Sequence, residues 1–314
     1  MALRLLFVLK LLLSASFNLP TVKKYITHRF PDMKKVKGFF KLIRFELPFS
    51  AGICVVMGQL LALGDFAAPT EIIYGFFSIF FISASILVLN DYFDVETDMI
   101  NAPDRPIPSG VVTKTEALLF AIFLFTSGLV ISLLINIGAL FTVILVSVIG
   151  FLYNRKFKKS GLPGNLLVSF SVGMTFIYGG ITVGLPFNKI VWFFAVIAAL
   201  VDLGEEIAAD AMDMEGDRLI NSASLAIKFG KQTAIKISVF IFFFVVLLSF
   251  VPFILNWFSP AYLIPILIMD ISIAYPSIKL LNADEKGGRN NIRRIYLGAT
   301  AGLIIFLLMR LLGV

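Results

Sequence analysis

The feature that most constrains this chain is a series of apolar segments, each about as long as a membrane is thick. A membrane-spanning α-helix needs roughly 20 consecutive, mainly apolar residues and satisfies its backbone hydrogen bonds internally. Nine such segments are predicted, with approximate bounds Phe39–Leu63, Glu71–Leu89, Ala117–Ile135, a fourth that follows Asn136 and Gly138 and ends near Tyr153, Leu166–Val183, Ile190–Ala209, Ala234–Leu255, Ala261–Leu281 and Ile295–Leu312. The short alternating segments of a membrane β-barrel are absent from the sequence. The predicted fold is therefore an all-α, polytopic membrane protein with nine transmembrane helices.

Lysines and arginines are distributed unequally between the two sets of predicted loops. If the N-terminus is cytoplasmic, only Lys189 and Arg310 fall on the outer side, and the inner loops carry the other loop cations. The positive-inside rule thus predicts a multi-pass protein of the cell membrane with its N-terminus in the cytoplasm and its C-terminus outside. The net charge of +7 is explained by inner loops that face anionic membrane lipids. No nucleic-acid-binding module is found, and the sequence assigns no oligomeric state.

Residues 1–32 are predicted to be an N-terminal extension to the nine-helix domain, residues 33–314. The segment Met1–Leu13 is apolar but contains two basic residues, which favours an amphipathic helix on the membrane surface. A cleaved signal peptide is the competing interpretation. Met33 is followed at once by basic residues, so it is also interpreted as an alternative start that would make the extension dispensable.

An acidic cluster follows the second apolar segment. Asp91, Asp94 and Asp98 are three and four residues apart, so an uninterrupted helix would place all three carboxylates on one face. Two unit charges about 4 Å apart repel each other by roughly 4 kcal/mol at an effective dielectric constant near 20. The cluster therefore predicts a bound cation, and Mg²⁺ fits best because it takes oxygen ligands and shares them with substrate phosphates.

A second acidic cluster repeats this spacing at the end of the sixth apolar segment, with Asp210, Asp213 and Asp217. One acidic cluster at a helix end is commonly a solvated cap. Two clusters with the same spacing, at the same predicted side of the membrane, favour a metal site. The same side carries the basic segment 155–159 and the proline-rich loop 101–110.

Two carboxylate clusters suit a particular reaction. They can hold two or more Mg²⁺ ions that bridge a diphosphate, and Mg²⁺ with nearby Arg and Lys stabilises diphosphate as a leaving group. An apolar bundle around the site would house a lipid chain, so the predicted substrate class is a lipid diphosphate. Cys54 and His28 are the only residues of their types, which excludes an intrachain disulfide and a site rich in His or Cys.

The sequence resembles the UbiA superfamily of intramembrane prenyltransferases over roughly residues 36–314. The residues that carry the resemblance are Asn90, Asp91, Asp94 and Asp98 in the first motif, Asp210, Asp213, Gly216 and Asp217 in the second, Tyr153 and Lys156 of a Tyr-x-x-Lys element, and Arg44. The resemblance implies a nine-helix bundle around a central cavity, with the active site at the cytoplasmic end.

The resemblance also implies roles for single residues. The six aspartates would coordinate Mg²⁺ and carry the catalysis, and Asn90 would orient the first cluster or bind a metal. Lys156, supported by Arg155 or Lys158, would contact the diphosphate. Arg105 would bind the diphosphate or the phosphate of the acceptor. The remaining predicted substrate-binding residues are Arg44, Tyr153 and Glu206. For the basic segment 155–159 a topology anchor is an equally good explanation, and Asn165 is interpreted as a cap of the fifth span.

Within the superfamily, the loop 103–110 and the segment 206–217 resemble the archaeal lipid enzymes. These transfer geranylgeranyl from a prenyl diphosphate donor to the hydroxyl of a lipid-phosphate acceptor, geranylgeranylglyceryl phosphate. Chlorophyll synthases share a similar Pro-Ile-Pro-Ser-Gly loop, so an aromatic acceptor of the quinone, haem or chlorophyll type stays open. A secondary transporter is the alternative of another class, although transporters place their acidic residues near the membrane midplane.

Overall fold

The computed structural model describes residues 33–219 and 221–313, so the N-terminal extension lies outside the described residues. All regular elements in these two ranges are helical. The α-helices are α1 Met33–Ile43, α2 Glu46–Leu63, α3 Pro69–Phe93, α4 Val95–Asn101, α5 Lys114–Ile135, α6 Ile137–Leu152, α7 Leu162–Thr182, α8 Lys189–Met212, α9 Met214–Leu219, α10 Leu225–Phe229, α11 Lys231–Leu248, α12 Val251–Ile254, α13 Leu263–Leu280 and α14 Glu285–Leu311. A π-helical turn, Tyr153–Phe157, extends α6, and a 3₁₀ turn, Pro260–Tyr262, precedes α13.

Eight helical segments within the described residues are long and apolar enough to cross a membrane. The predicted all-α, multi-pass membrane fold is thereby confirmed. The remaining predicted span corresponds to α8, which has 24 residues. Its second half contains four acidic residues, and this separates α8 from the other eight by composition. The count of nine spans stays a prediction.

The first predicted span is wrong at its start. It was expected to begin at Phe39, but α1 ends at Ile43 and the membrane-length helix α2 begins only at Glu46. Pro48 explains the break, because proline has no N–H to donate to the carbonyl of Arg44 and its ring would clash with that carbonyl in a continuous helix. Arg44 lies at the break with a positive φ of 49°, a conformation that non-glycine residues adopt rarely.

Each acidic cluster contains a break in its helix, so the uninterrupted helix that would place its three carboxylates on one face does not form. Helix α3 ends at Phe93, and Asp94 (φ −88°, ψ 4°) separates it from α4. In the same way, Asp213 (φ −101°, ψ 11°) separates α8 from the short helix α9. Both central aspartates thus occupy the sparsely populated bridge region of backbone space. In each cluster one aspartate lies on the long helix, one at the junction and one on the short helix.

Helices α2 and α7 cross with their backbones almost in contact. A Cβ atom on Gly58 would lie 2.2 Å from the carbonyl oxygen of Phe176, and one on Gly179 would lie 2.3 Å from that of Val55. Small residues at such crossings allow membrane helices to gain van der Waals contact. On the other side, α14 returns to α2, where the hydroxyls of Ser50 and Thr300 are 2.9 Å apart. The first and last long helices therefore close the bundle.

Candidate active site

A cavity of about 1200 Å³ lies inside the bundle. Its walls come from α2, α3, α6, α7, α8, α11, α13 and α14. Short connections join most long helices, so successive helices alternate in direction. The C-terminal ends of α3 and α8, the π-helical turn after α6 and the start of α14 therefore share one end of the bundle. This end of the cavity, where both acidic clusters lie, is called the charged end below.

The first cluster is held by two arginines. Asp91 is buried and forms an ion pair with Arg44, the residue at the break between α1 and α2. Arg105, from the proline-rich loop, lies 2.6 Å from Asp98 and 3.5 Å from Asp91. Burial of Arg105 opposes a raised pKa, but the hydrogen bond that Arg105 donates to Asp98 and the charge of Asp91 raise the pKa of Arg105 above its usual value. Two cations thus neutralise carboxylates that would otherwise repel each other.

The junction aspartate of the first cluster, Asp94, forms an ion pair with Lys158. The Lys158 ammonium also lies 3.4 Å from Oδ1 of Asn90, and Nδ2 of Asn90 donates to Oδ1 of Asn154 at 3.0 Å. Nδ2 of Asn154 in turn donates to the carbonyl of Ile86 at 3.1 Å. This chain of contacts fastens the basic segment after α6 to the acidic end of α3.

The second cluster has different partners. Nδ2 of Asn165 donates to Asp210 at 2.9 Å, and Arg289 of α14 lies 2.5 Å from Asp213. Oδ2 of Asp217 is buried and accepts no hydrogen bond from the described residues. Burial raises the pKa of both Asp213 and Asp217 above the usual carboxyl value. A cation bound beside these two carboxylates would favour their charged form and oppose the effect of burial.

Electrostatic contacts connect the two clusters across the cavity. Lys158, which pairs with Asp94, also favours the charged form of Asp217. Arg105, which pairs with Asp98, does the same for Asp213. The tertiary structure therefore brings together two motifs that are more than 100 residues apart in the chain.

Three further acids of α8 line the cavity beside the second cluster: Asp202, Glu205 and Glu206. The hydroxyl of Ser169 donates to Asp202 at 3.0 Å. Oε1 of Glu205 is buried without a hydrogen-bond partner among the described residues. Carboxylates inside a membrane helix are costly and commonly mark a functional pathway, so this face of α8 extends the site inward.

Most of the predicted site residues meet at the charged end. Those that line the cavity are Arg44, Asn90, Asp94, Asp98, Arg105, Tyr153, Lys158, Glu206, Asp213 and Asp217. Asp91 and Asp210 lie behind this surface, where they contact Arg44 and Asn165. Arg155 and Lys156 are exposed and outside the cavity lining. The π-helical turn changes the direction of the side chains that follow α6, so Lys158 faces Asp94 and Lys156 does not.

Sequence reasoning missed several residues of the site. Asn165 was expected to cap the fifth span, but α7 begins earlier, at Leu162, and Asn165 is a buried residue of its first turns. Asn154, Asp202, Glu205 and Arg289 were assigned no role, although all four line the cavity. A polar residue inside an apolar segment was the available signal for the first three. Nothing in the sequence distinguishes Arg289 from the other loop cations.

The charged end has the composition of a divalent-cation site. Within the described residues, no group of three His, Cys, Asp or Glu side chains is close enough to share one metal ion. Four of the aspartates instead form ion pairs with arginine or lysine. The carboxylates nevertheless supply the hard oxygen ligands that Mg²⁺ prefers. The buried, unpartnered Oδ2 of Asp217 is an oxygen that a cation would satisfy. The donor set therefore fits a divalent metal.

A large, mainly apolar cavity with carboxylates and cations at one end suits a membrane protein that acts on a lipid with a charged head group. The sequence profile of the UbiA prenyltransferase family matches residues 51–309. Because this match spans most of the chain, the protein belongs to the UbiA prenyltransferase family.

Several curated relatives share one name. The digeranylgeranylglyceryl phosphate synthase of Methanocaldococcus jannaschii is 35% identical over 254 residues, which cover 81% of this chain and 89% of the relative. The enzyme of the same name from Methanococcus vannielii is 34% identical over 276 residues, with 87% and 98% covered. A solved structure described as a digeranylgeranylglyceryl phosphate synthase in membranes aligns with a TM-score of 0.66 and 33% identity over 87% of this chain and 99% of that chain.

More distant structures share the fold. A UbiA homologue from Archaeoglobus fulgidus, solved with GPP and Mg²⁺ bound, aligns with a TM-score of 0.57 and 15% identity over 85% of this chain and 99% of that one. The predicted superfamily is thus confirmed by the profile, by the curated relatives and by the fold.

A substitution of Asn165 tests whether its hydrogen bond orients Asp210 of the second cluster. We expect Asn165→Ala to lower turnover by about 10- to 100-fold, the usual effect of removing a residue that orients a metal ligand. The concentration of divalent cation needed for half-maximal activity should rise in the same variant, because Asp210 loses its hydrogen bond. Titrating the activity with Mg²⁺ measures both effects. An unchanged metal requirement would show that Asn165 serves only the packing of α7.

Proposed function

We propose that this protein transfers a geranylgeranyl group from geranylgeranyl diphosphate to the free hydroxyl of geranylgeranylglyceryl phosphate. The product would carry the second ether bond of archaeal membrane lipids. The observation that carries the proposal is the combination of two aspartate clusters with one lipid-sized apolar cavity. Enzymes named digeranylgeranylglyceryl phosphate synthase are similar to 81% and 87% of this chain.

The charged end would bind the diphosphate of the donor. Arg44, Arg105 and Lys158 already lie against the first cluster and are available to contact phosphate oxygens. The six aspartates would hold divalent cations, with Mg²⁺ supported by the Mg²⁺ and GPP bound to the A. fulgidus homologue. Mg²⁺ bound there would neutralise the charge that grows on the diphosphate as the carbon–oxygen bond breaks.

The apolar part of the cavity would hold the prenyl chain. Phe176, Phe194, Ile266 and Ile273 line it away from the charged end and provide a surface that excludes water. Breaking the carbon–oxygen bond of the donor would release diphosphate and leave an allylic cation on the prenyl group, and exclusion of water would protect this cation from hydrolysis. The acceptor oxygen would then bond to C1 of the prenyl group, and its proton would pass to a carboxylate or to the released diphosphate.

The charged end would face the cytoplasm. The inner position follows from the predicted N-in, C-out topology, in which nearly all loop cations lie on the inner side. This places the diphosphate site on the side where soluble prenyl diphosphates are available. Cysteine-accessibility labelling of the loop 101–110 in intact cells would test the orientation, and labelling of this loop by an impermeant reagent added outside would contradict it.

The decisive assay uses purified protein in detergent with Mg²⁺, geranylgeranyl diphosphate and geranylgeranylglyceryl phosphate, followed by mass spectrometry of the lipid product. We expect an ether product that disappears when EDTA is added. Diphosphate release without ether formation would indicate a UbiA enzyme with a different acceptor, such as an aromatic ring. A folded protein that turns over no prenyl diphosphate at all would contradict the enzymatic function and favour a transporter.

A further inference from the structure

One face of α14 lines the cavity and changes in character along the helix. Glu285 and Arg289 lie near its first turns, whereas Ala299 and Leu303 lie farther along the same wall. At 1.5 Å per residue, Arg289 and Leu303 are separated by roughly 21 Å along the helix axis. The face therefore runs from a charged end to an apolar end, as an amphipathic lipid does.

Arg289 differs in its position from the other cations of the cavity. Arg44, Arg105 and Lys158 contact the first cluster, whereas Arg289 reaches the second cluster from α14 and pairs with Asp213 at 2.5 Å. The side chains of this pair are 62% and 50% exposed. Ion pairs this exposed contribute little to stability, so the guanidinium can exchange partners at small cost.

The proposed reaction requires two anionic substrates in one cavity. The cations of the first cluster serve the diphosphate of the donor, so the phosphate of the acceptor needs a separate cation to offset the repulsion. Arginine suits a phosphate because its forked N–H donors match two phosphate oxygens. Two carboxylates on this side are unfavourable for a phosphate: Asp213 pairs with Arg289, and Glu285 lies one helical turn before Arg289 on α14. A divalent cation bound at the second cluster would offset the repulsion between these carboxylates and the phosphate.

We propose that Arg289 binds the phosphate of the lipid acceptor, and that the hydrocarbon chain of this acceptor lies along Ala299 and Leu303 of α14. The inference rests on the proposed function and adds to it a residue that selects a phosphorylated lipid over an uncharged one. Arg105, the residue first considered for this phosphate, is instead assigned to the donor side by its contacts with Asp91 and Asp98.

The test compares two acceptors in the full-length protein in detergent, with saturating geranylgeranyl diphosphate and Mg²⁺. One is geranylgeranylglyceryl phosphate, and the other is geranylgeranylglycerol, which lacks the phosphate. We expect Arg289→Gln to raise the KM for the phosphorylated acceptor about tenfold or more, as for loss of a charge-assisted hydrogen bond. The KM for the donor and the kcat/KM for geranylgeranylglycerol should stay as in the wild type. Arg289→Lys keeps the positive charge but loses the forked N–H donors, so its KM for the phosphorylated acceptor should lie between those of the wild type and Arg289→Gln.

Arg294→Gln is the matched control, because Arg294 is an exposed arginine of the same helix that does not line the cavity. If Arg289→Gln lowered kcat/KM equally for both acceptors, or raised the KM for the donor as much as the KM for the phosphorylated acceptor, the assignment of Arg289 would be overturned. A wild-type protein that forms no ether from the phosphorylated acceptor would instead contradict the proposed function. In that case, binding of geranylgeranylglyceryl phosphate, measured by native mass spectrometry, tests the role of Arg289 separately from the reaction. Absent binding, or equal binding by wild type and Arg289→Gln, overturns the phosphate assignment.

Discussion

Replacing Asp94 by asparagine is expected to lower the turnover of geranylgeranyl diphosphate by about a thousandfold. Asp94 is the junction residue between α3 and α4, lines the cavity and pairs with Lys158. The amide keeps the shape of the side chain but removes one anionic oxygen ligand and the charge that positions Lys158. The loss should therefore appear in the chemical step and in the requirement for Mg²⁺, which steady-state kinetics at several Mg²⁺ concentrations would measure.

The fold should survive this substitution. The Lys158 side chain is 32% exposed, so an unpaired ammonium can reach water. Glu96→Gln is the matched control, since Glu96 is an exposed acid of α4, two residues after Asp94, and does not line the cavity. Equal activity of Asp94→Asn and Glu96→Gln would remove Asp94 from the catalytic site.

Replacing Gly179 by valine is expected to reduce the free energy of unfolding by about 3 kcal/mol. A Cβ atom at this position would lie 2.3 Å from the carbonyl oxygen of Val55 and 2.8 Å from Cα of Gly58. These neighbours belong to the backbone of α2, so α2 and α7 must move apart to make room. Unfolding by SDS in mixed micelles, or the thermal midpoint in detergent, would measure the loss.

The same substitution should also impair activity, since both α2 and α7 line the cavity. Leu166→Val is the control on α7, because Leu166 is half exposed at the surface of the bundle and a change there should cost no more than about 0.5 kcal/mol. If Gly179→Val unfolded at the same SDS fraction as Leu166→Val, the close crossing of α2 and α7 would not contribute to stability.

Local patterns in the sequence were sufficient for the fold class and for locating much of the candidate site. Apolar runs report directly on membrane helices, since a buried backbone in lipid must pair with itself. Acidic residues that repeat at a fixed spacing indicate a nearby positive charge, because clustered carboxylates repel each other unless a cation offsets the repulsion. Asp94, Asp98, Asp213 and Asp217 of the two motifs line the cavity, and their coordination of a metal stays a prediction.

The pattern of apolar residues did not predict where the helices break. Pro48 separates α1 from α2 and leaves Arg44 at the break, where it reaches Asp91. Asp94 and Asp213 each interrupt their helices, so the aspartates of one cluster do not share one continuous face. The π-helical turn brings Lys158 into the cavity and leaves Lys156 outside it.

The sequence by itself determined which residue types this membrane protein places at the ends of its spans, because hydropathy and charge spacing are local properties of the chain. Only the tertiary structure decided which partner each of them has. Asn165 meets Asp210 across 45 positions, and Arg289 meets Asp213 across a larger separation. Such pairs depend on how helices cross, and the crossing depends on backbone approaches such as that of Gly58 and Gly179, which no single segment specifies.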